Sequence, residues 1–254
     1  DFICESFPGQ FKNWFYSLLV MSTVLENTNP AKTIFGFALV RDEKGEEMHK
    51  SKGNAIEFNT AAEKIGAELM RWMYVRQNPA YNLNFGWKLA EETKRKLLTL
   101  YNAFVFFNTY VKKDEFPNGK EIKPKSVRNV SPASNAFGVA DAGVNVLDKW
   151  IISKLNNLIK KVTENFDKYN PGVGVLAIED FFINDFSLWY IRRSRERFHS
   201  HNSDRGEAVK TFYFVLLGLV KLIAPVMPFF AEEMYQIIKT EKMEESVHLL
   251  SWPE

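Results

Sequence analysis

The fold of this chain is most strongly constrained by a succession of amphipathic helices after residue 147. Apolar residues recur there at spacings of three and four, which is the pattern of a helix with one buried face. Breaks at Asn170-Pro171-Gly172, Pro225 and Pro228 divide the pattern into four helices, at roughly 147–169, 175–199, 207–224 and 229–239. Because only short loops separate them, the sequence predicts an antiparallel helical bundle.

The apolar stripes of these helices carry several large aromatic side chains. We expect five of them to be buried together in the bundle core, namely Trp150, Phe182, Phe186, Trp189 and Phe212.

The first 58 residues have a mixed α/β character. Phe2–Cys4 is a strand candidate, 13–25 has helical spacing, and the apolar stretch 33–40 predicts a fully buried strand. Residues 59–112 are helical and predict a connecting, stem-contact region followed by a first bundle helix, the long helix at roughly 88–111. Residues 113–146 are rich in proline and glycine and predict a long linker. The bundle then occupies 147–254.

Charge and cysteine content exclude some classes of function. The net charge is only +2, so a nucleic-acid surface would have to be local. Cys4 is the only cysteine, which excludes a disulfide within the chain and a zinc site built from several cysteines, and fits a cytoplasmic protein. The most apolar window, 211–227, contains Lys221 and predicts a buried helix rather than a membrane span.

The polar loop after the second predicted strand carries two lysines in a short basic motif. Lys50 and Lys52 flank Ser51 and precede Gly53. Ligands of α/β sheets bind beyond the carboxyl ends of strands, and ammonium groups placed there can stabilise charge on a transferring polyphosphate. A solvated surface turn is the alternative interpretation.

Four arginines crowd one end of the second bundle helix. Positions 192, 193, 195 and 197 cover about half of the helix circumference, with neighbours at spacings of three and four. Such a cluster can neutralise the phosphates of an RNA stem, which fixes position but not sequence. The alternative is pairing within the protein, for example with Asp185 or Glu196, or cation–π packing.

The order of these motifs resembles the isoleucyl-tRNA synthetases, which are class I aminoacyl-tRNA synthetases. The loop resembles their Lys-Met-Ser-Lys-Ser element followed by Gly-Asn: Met48, Lys50 and Ser51 match, whereas Glu47 and His49 replace motif residues. The resemblance extends over nearly the whole chain through Asp1-Phe2-Ile3-x-Glu5, Gly66–Trp72, Asp148-Lys149-Trp150-Ile151, Asp185–Arg195, Ala224–Glu233 and Ser246–Pro253.

The resemblance implies a mainly α fold: an anticodon-binding helical bundle preceded by the C-terminal part of a Rossmann-like α/β catalytic domain. It implies that Lys50 is catalytic and contacts the ATP phosphates. The implied sites are ATP binding by Met48, Lys50, Ser51 and Lys52; aminoacyl-adenylate binding by Glu5 and Gln10; and tRNA binding by Arg71, Arg192, Arg193, Arg195 and Arg197. No metal site is expected.

The implied function is activation of isoleucine with ATP, with Mg²⁺ as the ATP counter-ion, and transfer to tRNA-Ile. The chain begins with Asp1 and contains no His-x-x-His element, so we expect a C-terminal fragment that is inactive alone. We expect a cytoplasmic monomer without membrane contact. The alternatives are a non-catalytic tRNA-binding module, a valyl- or leucyl-type relative, and a plain helical bundle.

Overall fold

A computed structural model describes residues 2–117, 124, 145–199 and 201–254. Most of the predicted linker 113–146 lies outside the described residues, as does Asp1 of the first motif. The part of the linker that is described includes a short 3-10 turn at Lys113–Glu115.

The N-terminal part is a small α/β unit. Strand β1 (Phe2–Ser6) continues into a short helix, α1 (Phe7–Gln10), and helix α2 (Trp14–Glu26) leads to strand β2 (Thr33–Phe37), which pairs with β1 in parallel. A second pair joins β3 (Val40–Arg41) and β4 (Leu83–Asn84). This is the β-α-β arrangement predicted from the alternation of strand and helix patterns.

The prediction of a fully buried strand over 33–40 is wrong. Strand β2 ends at Phe37, and the side chains of Ile34 and Phe37 are 40% and 37% exposed. Within the described residues β2 pairs only with β1, so one edge of the strand and much of its surface have no cover.

Three helices connect this unit to the bundle. They are α3 (Phe58–Ile65), α4 (Ala67–Val75) and α5 (Trp87–Tyr110). The Glu57 carboxylate accepts a hydrogen bond from the Thr60 amide and caps α3. The observed α5 differs from the predicted helix 88–111 by one residue at each end.

The bundle follows the predicted succession of helices. Helix α6 (Val146–Asp167) is followed by α7 (Pro171–Asp180), a π-helical segment (Phe181–Ile191), α8 (Arg192–Ser194) and a 3-10 turn (Arg195–Phe198). Helices α9 (Arg205–Ile223) and α10 (Pro228–Ile238) complete it, and a 3-10 turn (Val247–Leu249) precedes the C-terminal residues. The fold is therefore mainly α, as predicted.

Every fourth residue is buried along the continuous helical run 171–198. In a straight α-helix each step of four residues turns about 40° beyond a full circle, so five steps would carry the row about 200° around the axis. The π-helical segment has hydrogen bonds between residues five apart and a wider turn, which keeps the row on one side. The row consists of Ile178, Phe182, Phe186, Tyr190, Ser194 and Phe198.

This geometry corrects the predicted aromatic core. Phe182, Phe186 and Phe212 are fully buried, as expected, and Trp150 is partly buried at the edge of the core. The prediction for Trp189 is wrong, because its side chain is 46% exposed. The spacing of three from Phe186 predicted Trp189 at this core position. Tyr190, four residues after Phe186, occupies it instead.

A buried carboxylate joins the connecting helices to the bundle. Glu179 of α7 is 5% exposed and accepts hydrogen bonds from the indole of Trp72 at 3.2 Å, from Arg76 at 3.4 Å and from Lys96. Trp72 lies on α4, Arg76 directly follows that helix, and Lys96 lies on α5. Nearby, a β-carbon on Gly172 would lie 3.1 Å from the Gln77 carbonyl oxygen, so glycine permits the close approach of α7 to the end of α4.

Candidate functional site

The basic loop exposes both lysines. Residues Lys50–Lys52 form a single 3-10 turn that ends at Gly53, whose φ of +69° is a conformation that glycine adopts without strain. Lys50, Ser51 and Lys52 are all exposed. Neither ammonium group forms a hydrogen bond or an ion pair with another described residue, and the Lys50 charge acts only at longer range on the Glu57 carboxylate.

The asparagine after this turn braces the loop. The Asn54 side chain donates to the Asp42 carboxylate at 2.8 Å and to the Glu47 carbonyl at 3.1 Å, and it accepts from the His49 amide at 2.9 Å. The hydrogen bond from Asn54, followed by that from the Glu46 amide, lowers the pKa of Asp42. The loop thus holds its shape without using either lysine.

Glu47, which replaces a motif lysine, is paired within the protein. Its carboxylate lies 3.5 Å from an Arg41 guanidinium nitrogen and 3.6 Å from the His49 imidazole. Both side chains that depart from the motif therefore contact one another. The negative charge of Glu47 is partly balanced by Arg41, which reduces its repulsion of a bound phosphate.

The predicted adenylate-binding residues lie at the end of β1 and just beyond it. Glu5 pairs in register with Gly36 of β2, and its carboxylate accepts from the Ser6 amide. Gln10 accepts a hydrogen bond from Asn13. Neither side chain is joined to the basic loop by a hydrogen bond or an ion pair among the described residues, and their role stays a prediction.

Arg71 has a contact that sequence reasoning did not foresee. Its guanidinium donates to the carbonyls of Val226 at 2.7 Å and Pro225 at 3.1 Å, in the turn between α9 and α10. Glu68, one turn earlier on α4, accepts from the Phe230 amide. Arg71 thus fastens α4 to the bundle, and its predicted contact with tRNA stays a prediction.

Three of the four clustered arginines are exposed. Arg192, Arg193 and Arg195 are all on the surface. The Arg193 guanidinium lies 3.8 Å from the ring centroid of Trp189, and that of Arg195 lies 5.9 Å from the centroid of Phe106. No ion pair neutralises any of the three among the described residues, so they form a local positive surface on a nearly neutral protein.

Arg197 forms buried ion pairs within the protein, unlike the other three arginines of the cluster. Its burial argues against the predicted contact with tRNA. Its two terminal nitrogens each lie 2.7 Å from an oxygen of Asp148, and its Nε lies 2.7 Å from Asp204. Tyr190 donates a further hydrogen bond to Asp148. Burial, followed by the charge of Asp148, raises the pKa of Tyr190 well above its usual value. Asp148 and Arg197 are 2% and 8% exposed, and three of the five Arg197 N–H groups donate within the protein, so the guanidinium is not presented to a phosphate at the surface.

Among residues 2–117, 124, 145–199 and 201–254, no helix is both long and apolar enough to cross a membrane. No group of three or more His, Cys, Asp or Glu side chains is placed to hold a metal ion within those ranges.

Two family models match separate parts of the chain. The model described as tRNA synthetases class I (I, L, M and V) matches residues 1–85, which include the basic loop. The model described as the anticodon-binding domain of tRNA ligase matches residues 148–254, which include the exposed arginines.

Curated relatives extend over the whole chain. It is 38% identical to the isoleucine–tRNA ligase of Clostridium novyi over 98% of this chain and 24% of that protein. It is 35% identical to the isoleucine–tRNA ligase of Thermus thermophilus over 100% of this chain and 23% of that protein. The chain therefore spans about a quarter of the length of the curated relatives that it matches.

Solved structures with low sequence identity share the fold. A leucyl-tRNA synthetase of Agrobacterium radiobacter, in a ternary complex with tRNA, has a TM-score of 0.70 at 17% identity and covers 100% of this chain and 29% of its own. A methionyl-tRNA synthetase of Mycobacterium tuberculosis bound to methionyl-adenylate has a TM-score of 0.64 at 20% identity, over 92% of this chain and 43% of its own.

Proposed function

The chain belongs to the isoleucine–tRNA ligases among the class I tRNA synthetases, and we propose from this that it contributes to activating isoleucine with ATP and transferring it to tRNA-Ile. The observation that carries the proposal is the loop braced by Asn54, which exposes two lysines in the region matched by the class I model. In this function the loop binds the ATP phosphates, and the helical bundle binds the tRNA.

Lys50 has the chemistry that adenylate formation requires. The isoleucine carboxylate attacks the α-phosphorus of ATP, a new P–O bond forms, and pyrophosphate leaves with its electron pair. A fixed ammonium group at the phosphates stabilises the charge that develops on the leaving group. Lys52, two residues on, adds a second positive charge, and Glu5 and Gln10 would hold the amino-acid part of the adenylate.

We expect Lys50→Ala to slow isoleucyl-adenylate formation about 10- to 150-fold in a full-length protein of the relatives' size. A charge-assisted contact made in the transition state contributes ~1.5–3 kcal/mol. Isoleucine-dependent pyrophosphate exchange measures the rate. Lys44→Ala, which removes an ammonium group from the same loop, is the matched control and should change little. An unchanged rate in Lys50→Ala would move the role to Lys52.

The exposed arginines support the tRNA part of the proposal. Arg192, Arg193 and Arg195 lie in the region matched by the anticodon-binding model. Since the net charge of the chain is only +2, binding has to come from such a local surface. Phosphate contacts of this kind position an RNA and do not read its sequence.

The double variant Arg192→Ala with Arg195→Ala is expected to weaken tRNA binding by this chain equally for different tRNA species. Loss of two phosphate contacts should lower the slope of log K against log salt by about two units. A salt titration measures both quantities. Lys12→Ala with Lys242→Ala removes the same charge elsewhere and should leave the slope intact. Identical slopes in both double variants would place the tRNA surface elsewhere, with Arg71 the next candidate.

The proposal extends to the counter-ion, the location and the oligomeric state, and family membership supports it. Mg²⁺ enters as the counter-ion of the substrate ATP, and the chain itself supplies no assigned metal ligand. We propose that the protein acts in the cytoplasm as a monomer. Size-exclusion chromatography with light scattering tests the oligomeric state directly.

A further inference from the structure

The turn between α6 and α7 contains a tyrosine in a backbone conformation that favours glycine. Tyr169 has a φ of +54°, in the left-handed region, where a residue with a β-carbon is strained. Its amide donates to the Phe166 carbonyl at 3.0 Å, and the Asn170 amide donates to the Asn165 carbonyl at 2.8 Å. These two hydrogen bonds close the end of α6 in a motif whose left-handed residue is usually glycine. The helix end therefore does not account for a tyrosine side chain at this position.

The ring of Tyr169 contacts the first strand of the α/β unit. It stacks on Phe2 of β1, with ring centroids 5.1 Å apart and an interplanar angle of 28°. Phe2 in turn stacks on Phe35 of β2, with centroids 6.5 Å apart at 27°. The three rings form a continuous stack from the bundle turn to both strands of this sheet. The side chain that the helix end does not require thus joins the bundle to the sheet.

The turn that carries Tyr169 is anchored on its other side. A β-carbon on Gly172 would lie 3.1 Å from the Gln77 carbonyl oxygen, so the turn packs closely against the backbone that follows α4. The packing toward the sheet is looser, because Pro171 of the turn and Phe37 of β2 line an apolar cavity of about 330 Å³. The ring stack therefore connects an anchored turn to a sheet that is only partly covered.

The strand reached by this stack carries the predicted adenylate-binding carboxylate. Successive side chains of a strand point to opposite faces, so Phe2 and Glu5 lie on opposite faces of β1. Within the described residues β1 pairs only with β2, so few other contacts fix its position. The Tyr169 ring supports β1 from the Phe2 face and leaves the Glu5 face open to a ligand.

We propose that Tyr169 is a positioning residue for isoleucine binding. Its ring holds β1 in place through Phe2, and β1 holds the Glu5 carboxylate where it meets the α-ammonium group of isoleucine. An ammonium group taken out of water needs a well-placed carboxylate, so a small displacement of the strand weakens binding. The inference rests on the proposed function, since it presumes the role of Glu5, and it adds a bundle residue to the amino-acid site.

The test measures isoleucine-dependent pyrophosphate exchange in a full-length protein of the relatives' size. We expect Tyr169→Ala to raise KM for isoleucine about 2- to 12-fold, the range for loss of one aromatic pair. KM for ATP and kcat should not change, because the contact to isoleucine is made equally in the ground state and the transition state. Tyr169→Phe keeps the ring and should keep KM. Phe2→Ala should act like Tyr169→Ala, and the double variant should add little to either.

Tyr169→Gly separates the role of the ring from the stability of the turn. Glycine adopts a positive φ without strain, so Tyr169→Gly should unfold at a higher temperature than Tyr169→Ala in thermal melts. Both variants should nevertheless raise KM for isoleucine equally. A KM that follows the melting temperature would overturn the proposal, because Tyr169 would then only stabilise the fold. Tyr101→Ala is the matched control, since Tyr101 is 43% exposed on α5 and has no ring contact within the described part of the chain.

Glu5→Gln distinguishes failure of this inference from failure of the proposed function. If Glu5→Gln raises KM for isoleucine and Tyr169→Ala does not, only the positioning inference is wrong. If Tyr169→Ala raises it and Glu5→Gln does not, the ring does not act through Glu5, which also overturns the inference. If the unsubstituted protein shows no isoleucine-dependent exchange, the proposed function is wrong and the inference with it.

Discussion

Replacing Arg197 with alanine should lower the free energy of unfolding by ~3–5 kcal/mol, since removing one partner of a buried ion pair leaves the other charge uncompensated. Asp148 is 2% exposed and would lose two hydrogen bonds at 2.7 Å, keeping only the one from Tyr190. Asp204 would lose its bond to the Arg197 Nε. Chemical denaturation monitored by circular dichroism measures the change.

Arg193→Ala is the control, because it removes the same side chain four residues earlier from an exposed position and should cost less than ~1 kcal/mol. Arg197→Lys should recover only part of the loss, since lysine cannot form the two parallel bonds to Asp148. Asp148→Ala should be destabilising too, and the double variant should lose less than the sum of the single losses. Equal, small effects at positions 193 and 197 would contradict the assignment of Arg197 to the fold.

Glu179→Ala should also destabilise the protein by ~3–5 kcal/mol. The substitution removes the acceptor for the Trp72 indole, which is fully buried, and for Arg76 and Lys96. Because Glu179 joins α7 to α4 and α5, the loss should appear as faster amide hydrogen exchange in all three helices. Differential scanning calorimetry and hydrogen exchange measure the two effects.

Glu179→Gln separates charge from hydrogen bonding at this position. The amide oxygen can still accept from Trp72, and the Lys96 side chain is 39% exposed and can be hydrated, so this variant should cost less than Glu179→Ala. Glu233→Ala, on the surface of α10, is the control for loss of an ordinary carboxylate. Exchange that accelerates in α7 alone would show that Glu179 does not connect the helices.

Helix positions followed from the sequence because they depend on local apolar spacing. The long helix α5 and the four bundle segments needed only the recurrence of apolar residues and the prolines at 171, 225 and 228. The partial exposure of β2 could not be predicted from local apolar spacing. Its apolar composition is a property of the strand, whereas its cover depends on which other elements pack against it.

The candidate site was predicted unevenly for a similar reason. Lys50 and Lys52 lie in an exposed loop whose motif is contiguous in sequence, and neither ammonium group has a hydrogen-bond or ion-pair partner in the described part of the chain. Arg197 and Arg193 have the same residue type and neighbouring positions, yet only Arg197 meets Asp148, which is 49 residues away. A contact of that separation has no local signature. One sequence signal could have predicted that Trp189 is exposed. The spacing of four that runs from Ile178 to Phe198 includes Tyr190 and leaves Trp189 out.

The π-helical segment also constrains how this region can change by mutation. A residue gained or lost within 181–191 would rotate everything that follows relative to the core, by about 100° where that residue takes α-helical geometry. Arg192 and Arg193 would then turn away from their present surface, and Tyr190 would leave the pocket that it shares with Asp148. Point substitutions on the exposed side can accumulate one at a time, but a change of length here alters the fold and the position of the exposed arginines in a single step. Insertions and deletions within 181–191 should therefore be rarer among functional homologues than substitutions at its exposed positions.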